Sequence, residues 1–362
     1  MSFPVRLACA AMLLLTPLAA AAQPAEPAPE LLPPIACSAS DQPIRTQGFL
    51  PIGGIDQWVT IRGAACGNPV ILFIHGGPGN PMSPYSETIF AEWEKDFTIV
   101  QWDQRGAGRT YGRNPGSSDT SLSLERMTAD GIELATYLAA NLGQRRLVLV
   151  GTSWGSVLGV HMARARPALF HAYVGVSQLV SYRDNQEASY RNLLARARAA
   201  GDAQTVASIE ALGPPPWTNP RNFGILRRAI RTYERRASDP APQSWWVRSP
   251  LYATPAAAAA DEAGEDYSYL QFVGLAGDGM LSRVDLPALG HGFEIPFYLV
   301  QGAEDLLTVP EVARRYFDAV SAPAKEYVLV GRAGHDPNLA MMSAVHDLLT
   351  KQAARWRGAA AR

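Results

Sequence analysis

Short apolar runs recur along the chain at Val70 to Ile74, Phe97 to Trp102, Leu147 to Val150, Ala172 to Val176, Pro296 to Gln301 and Glu326 to Val330. Glycine, proline or polar residues bound them, so each reads as a strand. Ahead of them, Gly48 to Ile52 and Ile55 to Ile61 flank Gly53-Gly54 and predict a hairpin. Between Val176 and Pro296 the pattern turns helical over Arg191 to Ala200, Ala203 to Leu212 and Phe223 to Arg236, broken by Gly213-Pro214-Pro215-Pro216-Trp217. Ala256 to Ala260 reads as a low-complexity surface segment. Strands alternating with helices predict an α/β protein with a mostly parallel, doubly wound sheet. The helical insertion forms a cap over residues 181–285 and divides the core into residues 37–180 and 286–362.

The N-terminal pattern differs in kind. Arg6 precedes the apolar stretch Leu7 to Leu18, and Ala20-Ala21-Ala22 supplies small residues before Gln23, which matches a secretory signal over residues 1–22. The stretch is short for a membrane span, so the expectation is cleavage, export to the periplasm or the medium, and no stable membrane anchor afterwards. Residues 23–36, rich in Pro and Ala, read as a disordered leader. Cys9 leaves with the signal. Cys37 and Cys66 then flank the hairpin in an oxidising compartment, and a disulfide between them is expected.

Composition adds mainly exclusions. With 47% hydrophobic residues and a net charge of −1, the chain is globular and offers no electrostatic case for a nucleic-acid partner. No phosphate-binding or dinucleotide-binding glycine loop and no H-E-x-x-H helix occurs, so neither cofactor nor metal is expected.

The candidate chemistry begins where Leu147 to Val150 runs into Gly151-Thr152-Ser153-Trp154-Gly155 and a helical stretch ending at Pro167. Strand, sharp turn and helix around G-x-S-x-G is the setting in which that serine is a nucleophile; the plainer alternative is a serine N-cap. A serine hydroxyl is a weak nucleophile at neutral pH, so a base, an acid to orient it and an oxyanion hole must accompany Ser153. In such a turn, acid and histidine follow the serine in that order, on loops after later strands. Gly302-Ala303-Glu304-Asp305 follows one strand and offers Glu304 or Asp305. Gly334-His335 follows the next. Of the six histidines, His75, His161, His171 and His291 break the order and His346 falls in a C-terminal helix, leaving His335 as the base. Two backbone N–H groups must face the developing oxyanion. Trp154 supplies one, and the glycine turn His75-Gly76-Gly77-Pro78-Gly79 the other, through Gly77 or its neighbour Gly76.

Together, HGGPG at residues 75–79, DQRGAGRT at 103–110 and GTSWGS at 151–156 resemble the proline iminopeptidase group of α/β-hydrolases over residues 45–355. Thr110 stands where that group usually has serine. The resemblance implies an α/β-hydrolase fold and selects Asp305, through the G-x-x-D turn of these hydrolases, as the acid of a Ser153, Asp305, His335 triad. It implies a serine peptidase acting on small peptides to release N-terminal residues, often proline; a carboxylesterase or small-amide hydrolase with the same triad is the alternative. Arg105 reads as a buttress. Aminopeptidase action requires a group to hold the substrate ammonium, and Glu187 at the start of the cap is the first candidate, followed by Glu210, Glu234 and Asp266. Trp217, Trp245, Trp246 and Tyr252 are candidates for lining an apolar pocket.

Overall fold

The computed structural model describes residues 31–37, 39–116 and 122–357. The expected signal over residues 1–22 lies outside them. Leu31 and Leu32, expected within a disordered leader, instead lie against the first strand: Leu31 bridges Phe49, and the Leu32 N–H donates to the Phe49 carbonyl at 2.8 Å.

One eight-stranded sheet runs in the order β1-β2-β4-β3-β5-β6-β7-β8. Its members are β1 (Ile44–Ile52), β2 (Ile55–Gly63), β3 (Val70–Ile74), β4 (Thr98–Asp103), β5 (Leu147–Thr152), β6 (Phe170–Val176), β7 (Phe297–Gly302) and β8 (Lys325–Val330). β1 and β2 form the hairpin, turning through Gly53 and Gly54 at φ +57° and +81°, the paired left-handed geometry that suits glycine. β2 also pairs antiparallel with β4, and every later pairing is parallel.

Ten α-helices accompany the sheet among the described residues. They are α1 (Ser86–Ile89), α2 (Gly108–Arg113), α3 (Leu124–Asn141), α4 (Trp154–Ala165), α5 (Tyr182–Ala199), α6 (Ala203–Glu210), α7 (Pro220–Ala237), α8 (Pro255–Val273), α9 (Pro310–Ala319) and α10 (Leu339–Arg357). Side-chain alternation along β3 shows how they cover it. Leu72 and Ile74 join the core beneath α3, α4 and α9, while Ile71 and Phe73 join the one beneath α1 and α10. A strand covered on both faces is apolar throughout, and all of β3 is buried.

Helices α5 to α8 are inserted between β6 and β7. An antiparallel bridge between Ser181 and Asp285 closes the neck of this insertion. Leu193, Ile209, Trp217, Leu226 and Ile230 form a small core of its own, which also takes in Leu306 from the turn after β7. Ala256 to Ala260, expected as a low-complexity segment, is the first turn and more of α8. Thr254 caps that helix by accepting from the Ala257 N–H, and Pro255 sits at its first position, where no N–H is needed. Cys37 and Cys66 are joined by a disulfide with their Cα atoms 5.7 Å apart, tying the segment before β1 to the end of β2.

Candidate active site

Ser153 lies between β5 and α4 at φ +52°, ψ −119°, a conformation that residues with a side chain rarely adopt. Two glycines make the reversal possible. A methyl group on Gly155 would overlap the Ile74 and His75 carbonyls, and one on Gly151 the Gly155 carbonyl. The Ser153 N–H donates to the Val176 carbonyl at 3.0 Å, locking the turn to β6.

His335, on the loop after β8, places Nε2 3.0 Å from Ser153 Oγ and Nδ1 3.1 Å from Asp305 Oδ2. An ionised carboxylate only accepts, so Nδ1 carries the proton and Nε2 is left to accept from the Ser153 hydroxyl. Asp305 is itself fixed on both oxygens. Oδ1 accepts from the Leu307 and Thr308 N–H groups at 2.9 and 2.7 Å, and Oδ2 from the Gln301 amide and the Thr308 hydroxyl at 3.0 and 2.6 Å. Burial alone would raise its pKa, but the His335 charge and these hydrogen bonds prevail and hold the carboxyl below its usual range. For His335 burial acts downward, and the Asp305 charge and hydrogen bond outweigh it, so the imidazole is more basic than usual. Glu304 takes no part: it pairs with Arg196 at 2.8 Å.

Glu234, on cap helix α7, is buried behind this relay. Its carboxylate accepts from the Leu306 N–H at 2.7 Å and the His335 N–H at 3.3 Å, so one side chain joins the cap to both loops that carry the relay. Burial, reinforced by the Asp305 charge, pushes its pKa up to about 7.

In the glycine turn, Gly76 lies against the Ser153 side chain and Gly77, at φ +109°, lines both cavities with Ser153; Trp154 is the first residue of α4, where a helix leaves its N–H unpaired. His75 anchors this glycine turn. Burial drops its pKa to about 4, so it is neutral; Nδ1 donates to the Gly76 carbonyl at 2.8 Å and Nε2 accepts from the Gln104 N–H at 3.2 Å. The Gln104 amide returns a bond to the His75 carbonyl at 2.9 Å, so the DQRG turn holds the glycine turn. Arg105 faces away, pairing with Asp130 at 2.8 Å and reaching the Gly53 carbonyl. Thr110 donates to the Asp103 carbonyl and accepts from the Trp58 N–H at 2.8 Å, bonds a serine hydroxyl could also make.

Two cavities meet at Ser153 and Gly77. The smaller, about 40 Å³, is enclosed by Phe223, Leu226, Phe272 and Leu281 together with Asn185 and Gln186. The larger, about 220 Å³, is walled by Met82, Tyr85, Trp246, Met341, His335 and Asp336. Arg227 lines both.

Glu187 does not face either cavity. Asn185, Gln186 and Ser189 occupy the inward side of α5, and the helical turn of 100° per residue carries Glu187 out to solvent. Glu210 is exposed and paired with Arg198, and Asp266 is exposed. Of the aromatic candidates, Trp246 lines the larger cavity. Trp217 belongs to the cap core, Trp245 packs against the sheet core, and Tyr252 is buried, accepting from the Trp58 indole at 2.8 Å. Gln301, Thr308 and Arg227 were missed. For Arg227 there was a signal: it falls four residues after Phe223 on a face that also carries Leu226 and Ile230, and a cation on an apolar face needs a reason.

Residues 69–339 match the sequence pattern of the alpha/beta hydrolase fold family. A probable aminopeptidase, YbaC, of Bacillus subtilis (strain 168) is 27% identical over 317 residues, covering 84% of this chain and 95% of its own length. A probable proline iminopeptidase of Streptomyces coelicolor is 28% identical over 304 residues, covering 80% and 89%. Among solved structures, the proline iminopeptidase of Mycobacterium smegmatis superposes with a TM-score of 0.60 at 20% identity, covering 87% of this chain and 99% of that one. With its mostly parallel sheet, its serine elbow and a family match spanning most of its length, the chain belongs to the alpha/beta hydrolase fold family.

Proposed function

We infer that the protein is a serine hydrolase that releases an N-terminal residue, proline foremost, from small peptides through an acyl-enzyme. The observation that carries this reading is the hydrogen-bonded line from Asp305 through His335 to Ser153, ending where two cavities and the glycine turn meet. Ser153 Oγ attacks the scissile carbonyl as His335 Nε2 takes its proton, and Asp305 stabilises the resulting imidazolium. The Gly77 and Trp154 N–H groups receive the oxyanion. His335 then protonates the leaving amine, and a water that it deprotonates cleaves the ester to regenerate Ser153. The relatives named a probable aminopeptidase and a probable proline iminopeptidase support the substrate class.

With Glu187 in solvent, the ammonium needs another acceptor. Gln186 Oε1 fits: among the described residues this buried oxygen has no hydrogen-bond partner, and the residue, whose side chain also meets the Tyr182 hydroxyl, lines the smaller cavity. A neutral acceptor also favours a second reading, a carboxylesterase or small-amide hydrolase, because Asp336 is the one acidic residue lining either cavity among the described residues. Turnover of a prolyl arylamide beside its N-acetyl form and a nitrophenyl ester separates the two. The aminopeptidase reading predicts at least ~10-fold preference for the free amine, the scale of one charge-assisted contact. Equal rates on both amides, with faster ester cleavage, would move the protein to the second reading. Export belongs to the same proposal, supported by the Cys37–Cys66 bond, which suits an oxidising compartment.

A further inference from the structure

Arg227 stands apart from the carboxylate-bound arginines drawn below the surface. Arg62, Arg105 and Arg248 each bond a carboxylate. Arg227 lines both cavities that meet at Ser153, and among the described residues no hydrogen bond or ion pair holds its guanidinium. The charged groups around it come from three elements. Arg231 on its own helix α7 repels it, while Glu265 on α8 and Asp336 after His335 attract it from beyond contact, with the Tyr269 hydroxyl of α8 also near. Burial works against its charge. Arginine nevertheless stays protonated at neutral pH, so a cation with planar donors lines the same two cavities as Ser153.

Resting on the aminopeptidase reading, we propose that Arg227 binds the carboxylate of the residue that leaves, so that the preferred substrates are short peptides, dipeptides above all, with a free C-terminus. The geometry of a dipeptide suits this placement. A single carbon separates its carboxylate from the scissile nitrogen, so an anion-binding group must stand close to the nucleophile, where the two cavities join. The apolar wall of Phe223, Leu226, Phe272 and Leu281 then receives the N-terminal side chain, and the larger cavity receives the leaving residue. A guanidinium matches a carboxylate with two parallel hydrogen bonds, and partial exclusion of water strengthens them.

Two measurements on the whole protein test this. The first compares prolyl-alanine with prolyl-alaninamide in the wild type, Arg227→Gln and Arg227→Lys. The expected wild-type preference in kcat/KM for the free acid is at least ~10-fold, falling to near one in Arg227→Gln and staying between in Arg227→Lys. A ratio near one in the wild type, or one that survives in Arg227→Gln, overturns the proposal. The second needs no peptide substrate: benzoate and benzamide are compared as protectants of Ser153 against a fluorophosphonate. Protection by benzoate alone, lost in Arg227→Gln, is expected, and equal protection by both overturns it. If neither dipeptide is cleaved while benzoate protects, the aminopeptidase reading falls and the carboxylate site stands.

Discussion

At the scale of single residues, the acid is the sharpest test of the relay. Asp305 receives five hydrogen-bond donors, counting His335, whereas Glu304 is committed to Arg196. Asp305→Asn is expected to lower kcat by about 10⁴-fold through the wrong imidazole tautomer, while Glu304→Gln stays within a few-fold. Steady-state kinetics at matched folded fraction decides it, and the reverse order would name Glu304 as the acid. The pH profile gives a second test. The base must be neutral, so kcat/KM falls as pH drops through its apparent pKa, and Asp305 places that acid limb above 6.5, the ordinary histidine value. Glu234 adds negative charge near the imidazole. Glu234→Gln keeps an acceptor for the Leu306 N–H and removes that charge, so the acid limb is expected to move to lower pH. The apparent values belong to the coupled His335, Glu234 and Asp305 cluster, and a limb that stays put would show that Glu234 does not act on the base. That Ser153 and His335 come together was legible in the sequence because strand, glycine and order are local signals. Glu187 misled because its distance along the chain says nothing of helical phase, and the bonds of Glu234 join segments about 70 and 100 residues apart.

At the scale of elements, the turns carry the site and the helices position the turns. The β5–α4 reversal depends on Gly155 lying against the carbonyls at the end of β3, which is why the elbow and the glycine turn face each other. The cap helices were legible from periodicity and from the proline breaker, though α8 was not. Its first turns are mostly alanine, without an apolar stripe, and helix formation there rests on propensity and the Thr254 cap. The Cys37–Cys66 bond belongs to this scale too. It closes a loop spanning a sequence separation of 29, worth ~3–4 kcal/mol in the chain-entropy model, and lies on the hairpin rather than at the cavities. Cys37→Ala with Cys66→Ala is expected to lower unfolding stability by about that amount, while activity per folded molecule is unchanged. Loss of activity at full folding would give the bond a role in the site.

At the scale of the whole molecule, the sequence yields the fold class through its alternation of strands and helices, but not the strand order. β4 inserts between β2 and β3 because burial on both faces and crossover geometry decide the pairing, and neither is written in any single segment. The cap is likewise an assembly property. It is closed at its neck by Ser181 and Asp285 and fastened through Glu234 to the two loops that carry Asp305 and His335. The sheet thus presents the serine, while the cap encloses the smaller cavity around it. The central claim, that Ser153 is a nucleophile activated by His335, is tested most directly by fluorophosphonate labelling followed by peptide mapping. A single adduct on Ser153 is expected, formed at least ~10³-fold more slowly in a folded His335→Ala variant. An adduct on another residue, or none in the folded wild-type protein, would contradict it.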